Sequence, residues 1–264
     1  MIALCGDLVA EQDALDVMVA GLDEAGWGLP TPAEGWSVRD HIAHLAYSEF
    51  AAYLSATDAK GFARETAAVP RSERHGRQLA IGRAMSGAYL LHWWRLGRAA
   101  TVEAFRRLDP RTRLPWFGPP MSAASSATAR LQETWAHGQD VADALGHVRP
   151  ATERLRHIAH LGVITRSFSF TNQGRPAPAA DVRVELSSPA GARWTWGDPA
   201  AADRVAGPAL DFCLVVTRRR HPADTRLAIT GLLAEEWMHR AQAFAGPPGE
   251  GRRPGQFPGP AGLE

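Results

Sequence analysis

Two pairs of residues in this 264-residue chain have the types and spacing for metal chemistry. Glu133 and His137, in LQETWAHGQDVADALG, are four apart, and His41 and His44, in WSVRDHIAHLAYSE, are three apart. On a helix either interval puts both side chains on one face. Two imidazoles and one carboxylate on facing helices would leave positions open on a divalent cation, the arrangement of catalytic rather than closed structural sites. Spacing alone leaves a second reading: Glu and His four apart are common on solvated faces, and ten histidines make chance pairings easy. On a wheel whose apolar stripe is Val38, Ile42 and Leu45, His41 sits nearer the stripe than His44. The two cysteines, Cys5 and Cys213, are too few for a disulfide framework. Cys213, in ALDFCLVV, reads as a small buried hydrophobe rather than a nucleophile.

The elements that must position these residues are helical over the first 150 residues. Leu15, Met18 and Leu22 repeat at helical spacing in a first helix, ended by GWGLPTPAEG. Ser37 with Asp40 three later is an N-cap signature for a second helix that runs to about Ala56. A third, long pattern carries Ile81, Met85, Ala88, Leu91 and Arg95, then Val102, Phe105 and Leu108, and stops at DPRTRLPWFGPP. The fourth contains Glu133 and His137 and ends near Gly146; four helices with short links predict an antiparallel four-helix bundle over 1–150. A further helix and a proline-rich linker fill 151–180. A small α/β domain over 181–246 follows: DVRVELSS alternates as a strand and pairs with RWTWG, GPALDFCLVVTRRR is helical, TRLAIT returns as a strand, and LLAEEWMHRAQAF closes it. Residues 247–264 are too rich in glycine and proline to pack and read as a disordered tail.

Composition narrows the function. With 29 basic against 28 acidic residues there is no field to gather nucleic acid or an anionic membrane. No apolar run reaches the ~20 residues of a membrane span, and no signal peptide opens the chain, so a reduced, cytoplasmic protein is expected. Lys60 is the only lysine, an arginine and alanine bias that matches a GC-rich bacterial genome.

GWSVRDHIAHLA and ETWAHGQDVADALG together resemble the DinB-like metal-binding superfamily, in its mycothiol-dependent maleylpyruvate isomerase type. VRVELSSPAGARWTWGDP, VAGPALDFCLVVTRRR and TRLAITG are similar to the sterol-carrier-protein-like domain that follows the bundle in those enzymes, so the resemblance covers most of residues 1–246. It implies that Trp36 opens the second helix and that His44, eight residues on, binds metal with Glu133 and His137; His41 then supports or packs. It also implies a diffusible thiol, mycothiol, deprotonated by the metal for transfer to, or isomerisation of, a small electrophile. Zinc suits a Lewis-acid role without redox change, with iron or nickel as alternatives. An arginine of the small domain would stabilise developing charge. Arg218, Arg219 and Arg220 are adjacent candidates: Arg219 is assigned to catalysis, and Arg218 with Arg166 to the cofactor. The competing class is a metal- or ligand-binding regulatory module that retains the fold without catalysis. A monomer and a homodimer are equally compatible with the sequence.

Overall fold

A computed structural model describes residues 1–257 of the chain. The chain divides into two compact units, Met1–Arg149 and one beginning at Pro150.

The first unit holds helices α1 (Ile2–Val19), α2 (Glu24–Trp27), α3 (Val38–Thr57), α4 (Ala59–Ala67), α5 (Arg71–Arg83), α6 (Gly87–Arg106) and α7 (Ala123–Leu145). A two-residue ribbon, β1 (Arg113–Leu114) with β2 (Met121–Ser122), precedes α7. The longest helices pack in a ring: α3 against α6 and α7, and α1 against α7 and α6. Each end has a local cause. The Ser37 backbone N–H and hydroxyl both donate to Asp40 at 2.8 and 2.9 Å, fixing the start of α3. Gly146, at φ 66°, closes α7 in the left-handed conformation that glycine adopts without strain.

The long third helix expected from Ile81 to Leu108 is in fact two helices. Arg83 is drawn sideways onto Asp40, with Nε–Oδ1 at 2.8 Å and Nη2–Oδ2 at 3.0 Å. The chain then turns, and Ser86 Oγ accepts the Tyr89 N–H to cap α6. Gly87 follows because a Cβ there would come within 2.2 Å of the Trp27 indole. Trp27, Ile42, Leu45, Leu90 and Trp94 are fully or almost fully buried and form the core between α3 and α6.

Asp16, on α1, is a second tie across the unit. Arg95 donates to both of its oxygens at 2.6 and 2.8 Å, and Arg98 donates to Oδ2 at 2.8 Å. The Arg95 hydrogen bonds hold the Asp16 carboxyl below the usual carboxylate range despite its burial. A depressed folded pKa stabilises the protein above the unfolded value near 3.9 and ceases to do so as pH falls through the folded value. Asp16→Asn is therefore expected to cost about 1.5–3 kcal/mol at pH 7. The difference from wild type should shrink below about pH 4, as read by urea unfolding across pH; a pH-independent difference would refute the ion-pair origin.

The second unit opens with α8 (Leu155–Ile164) and α9 (Arg166–Thr171), continues through strands β3 (Val182–Ser187), β4 (Arg193–Trp196) and β5 (Asp203–Pro208), and adds α10 (Ala209–Val216), β6 (Ala228–Thr230) and α11 (Leu232–Arg240). The sheet order is β4-β3-β5-β6. β3 pairs antiparallel with β4 and parallel with β5, and β6 pairs antiparallel with β5. The loop from β4 to β5 must pass the start of β3, and Gly197 (φ 80°) allows it: a Cβ would lie 2.4 Å from the Val182 carbonyl oxygen. Val182, Val184 and Leu186 are buried, as are Phe212, Val216 and Trp237 on the helices of this unit. Cys213 lies in the same core, and burial raises its thiol pKa far above the ordinary range, as expected of an inert cysteine. The described part of the segment expected to be a tail has no helix or strand but does have contacts: the Gly255 N–H donates to Asp224 at 2.8 Å, and the Arg220 guanidinium lies 5.4 Å from the Phe257 ring. Residues 258–264 of that expected tail lie outside the described residues. Among the described residues no helix is long and apolar enough to cross a membrane.

Candidate metal centre

His41 and His44 on α3 meet Glu133 and His137 on α7. His41 Nδ1 is 2.8 Å from His137 Nδ1, and His44 Nε2 is 3.2 Å from Glu133 Oε2. The later residue of α3 faces the earlier residue of α7, so the two helices run antiparallel here. His137 Nε2 reaches the same Glu133 oxygen at 3.4 Å. Two imidazole nitrogens thus converge on one carboxylate oxygen, and all three side chains are partly open to solvent.

A chain of hydrogen-bonding contacts runs behind His137 through His41 to Thr31. The Thr31 hydroxyl donates to the Trp36 carbonyl at 3.1 Å, which leaves its lone pairs for the His41 Nε2–H at 2.8 Å. His41 Nδ1 is then an acceptor, and His137 Nδ1–H donates to it. His137 Nε2 therefore presents a lone pair to a carboxylate oxygen. Two acceptors 3.4 Å apart repel unless a cation lies between them: a proton, which makes His137 an imidazolium, or a metal ion. With Nε2 protonated, burial still pushes the Glu133 carboxyl up, but hydrogen bonds from His137 and His44 and the Arg130 charge outweigh it and hold the carboxyl well below the usual range.

Two features fit a divalent ion. Donors each about 2.1 Å from a tetrahedral metal are about 3.4 Å apart, and the two separations here are 3.2 and 3.4 Å. His137 donates its other ring N–H to a fixed acceptor, as metal-binding histidines do. Asp140, buried one turn beyond His137, brings a carboxylate oxygen within 4.8 Å of ligand atoms of His41 and His137.

Trp36 forms one wall of this cluster. Its ring stacks on His137 with centroids 5.7 Å apart and planes 7° apart, and on His75 at 5.0 Å. His41 and His44 lie 4.9 and 5.8 Å from it. The sequence reading did not include Thr31, His75, Asp140 or Arg130. Asp140 and Arg130, each three residues from a ligand candidate on α7, were findable by helical spacing. Thr31 and His75, on a loop and on another helix, were not.

A sequence model of the mycothiol maleylpyruvate isomerase N-terminal domain matches residues 8–142, half of the chain. The chain belongs to the mycothiol maleylpyruvate isomerase family. Trp36, His44, Glu133 and His137 all fall inside the matched segment. Two uncharacterized Mycobacterium tuberculosis proteins, Rv0036c of strain H37Rv and MT0041 of strain CDC 1551, are each 49% identical over 251 residues, 93% of this chain and 96% of theirs. Two crystal structures share the fold: the mycothiol-dependent maleylpyruvate isomerase (TM-score 0.58) and a histidine-to-alanine mutant of it (TM-score 0.60). Each is 18% identical and covers 83% of this chain and 89% of its own.

The arginines assigned to function in this maleylpyruvate isomerase family member lie in the second unit. Arg166 donates to the Ala180 carbonyl at 2.7 Å and faces Asp181 at 3.7 Å, tying the start of α9 to the approach of β3. Arg218, at φ 62°, is half buried and donates to the carbonyls of Ala241 (3.1 Å), Arg240 (3.4 Å) and Gly249. These bonds tie Arg166 and Arg218 to the second unit's own loops. Arg219 donates to the Thr217 carbonyl at 2.6 Å, and its guanidinium carbon lies 6.0 Å from the Phe244 ring.

Proposed function

We propose that this chain is a metal-dependent enzyme that uses mycothiol as thiol cosubstrate, acting on a small electrophile by S-transfer or thiol-assisted isomerisation. The observation that carries this reading is the convergence of His44 and His137 on Glu133, with His41 behind His137. When bound, a divalent ion, zinc by our choice, would supply Lewis acidity that lowers the pKa of a coordinating thiol from near 8.5 into the neutral range. His44, Glu133 and His137 would hold it. The chain's own residues do the rest: Thr31 and His41 keep His137 Nε2 unprotonated, Glu133 offsets one unit of cationic charge, and the Trp36 ring walls the rings on one side. Neither cysteine takes part, since Cys5 and Cys213 are buried and burial raises the pKa of both thiols. Arg219 is the proposed source of positive charge for the reacting substrate.

Elemental analysis of the purified protein is expected to find about one divalent ion per chain, retained by Cys5→Ser and Cys213→Ser. In a cobalt-substituted sample, added mycothiol should produce a sulfur-to-metal charge-transfer band already present near pH 6.5. Glu133→Gln should weaken both metal retention and the band, whereas Arg219→Ala should leave them unchanged and lower turnover. No metal after zinc reconstitution, or a band without added thiol that vanishes in Cys213→Ser, would refute the reading.

A further inference from the structure

Arg130 lies one helical turn before Glu133 on α7, on the face that carries the candidate ligands. It is only 5% exposed, and its Nε and Nη1 are buried with no hydrogen-bond partner among the described residues. Its guanidinium carbon sits 5.3 Å from the Trp116 ring, so one side of the planar group is covered by an aromatic surface. A guanidinium cannot shed its proton, and a buried cation without a partner is strongly disfavoured. Its charge also bears on the carboxyl of Glu49. Glu49 is fully buried and forms no ion pair with it among the described residues. Gln12 donates to Glu49 Oε1 at 3.1 Å, Oε2 has no partner, and burial raises the carboxyl pKa, which favours the neutral acid.

We infer that Arg130 is the anion-recognition residue of this site and holds a carboxylate of the small molecule that meets the histidine–glutamate cluster. The reading rests on the proposed function for the location of that molecule, but the guanidinium and its Trp116 platform exist without any metal. A planar carboxylate suits the position better than a tetrahedral phosphate. The guanidinium fork matches the two coplanar oxygens of a carboxylate.

The test is calorimetric titration with malonate, and separately with inorganic phosphate, of zinc-reconstituted and metal-free protein, with zinc content measured in every sample. Arg130→Met should weaken malonate binding at least 10-fold without changing zinc content. Arg130→Lys, which keeps the charge but not the fork, should fall between it and wild type, and it stands in if the methionine variant fails to fold. Glu49→Gln should leave malonate binding unchanged. Malonate binding as tight in the Arg130 variants as in wild type would overturn the inference, as would a preference for phosphate. Equal losses in Glu49→Gln would overturn it too, by showing that Arg130 serves only the buried acid. If wild type retains no zinc yet binds malonate through Arg130, the metal reading fails and this one stands.

Discussion

His44→Ala is expected to abolish stoichiometric metal binding, while His41→Ala weakens it only about 10- to 100-fold. His44 offers its Nε2 directly to the cluster, 3.2 Å from Glu133. His41 acts one step back: one ring nitrogen lies 2.8 Å from His137 and the other 2.8 Å from the Thr31 hydroxyl, an arrangement in which His41 accepts from His137 when it donates to Thr31. Without it, His137 loses the acceptor that keeps Nε2 unprotonated, so metal must compete with a proton at that nitrogen. The His41→Ala defect should therefore grow as pH falls, and Thr31→Val should produce a milder form of it. Metal titration with a chromophoric chelator, alongside circular dichroism to show that each variant is folded, reads the ranking. Equal or reversed losses would identify His41, His137 and Asp140, which also approach one another, as the ligand set.

Trp94→Ala is expected to cost about 3–5 kcal/mol, enough to unfold much of a marginally stable first unit. Trp94 is fully buried where α6 meets α3, among Ile42, Leu45, Ala46, Leu90 and Leu91. Its removal would leave a cavity against the helix that carries His41 and His44. Its indole N–H has no hydrogen-bond partner, so the side chain contributes volume and ring contact rather than polarity. Trp94→Phe should therefore cost substantially less than Trp94→Ala. The Arg98 guanidinium, 4.8 Å from the ring, would keep an aromatic neighbour in that variant. Urea unfolding monitored by circular dichroism separates the two. Equal losses would mean that the indole's shape, not the presence of a ring, is what the core requires.

The sequence by itself determined whatever depends on neighbours along the chain. Ser37 and Asp40 announce the start of α3 because an N-cap is a three-residue event, and Gly146 announces the end of α7 because it must accept a positive φ. Alternation at Val182, Val184 and Leu186 predicts β3, since strand side chains change face at every residue. The His and Glu spacings place each pair on one face, and the resemblance singles out His44, where apolar periodicity points to His41. Both indications have a structural counterpart: His41 is the fully buried histidine, and His44 the half-buried one facing Glu133.

Only the tertiary structure decided the rest. The break between α5 and α6 follows from Arg83 reaching Asp40 on another helix and from the Trp27 indole lying against Gly87, neither of which is visible in local periodicity. The three adjacent arginines, equivalent as letters, separate in backbone: Arg218 turns to a positive φ and spends its donors on distant carbonyls. His137 is linked through His41 to a hydroxyl at Thr31, over a hundred positions earlier in the chain. A hydrogen bond acts over about 3 Å whatever the sequence separation, so the chemistry of one imidazole is fixed by which loops and helices fold against it.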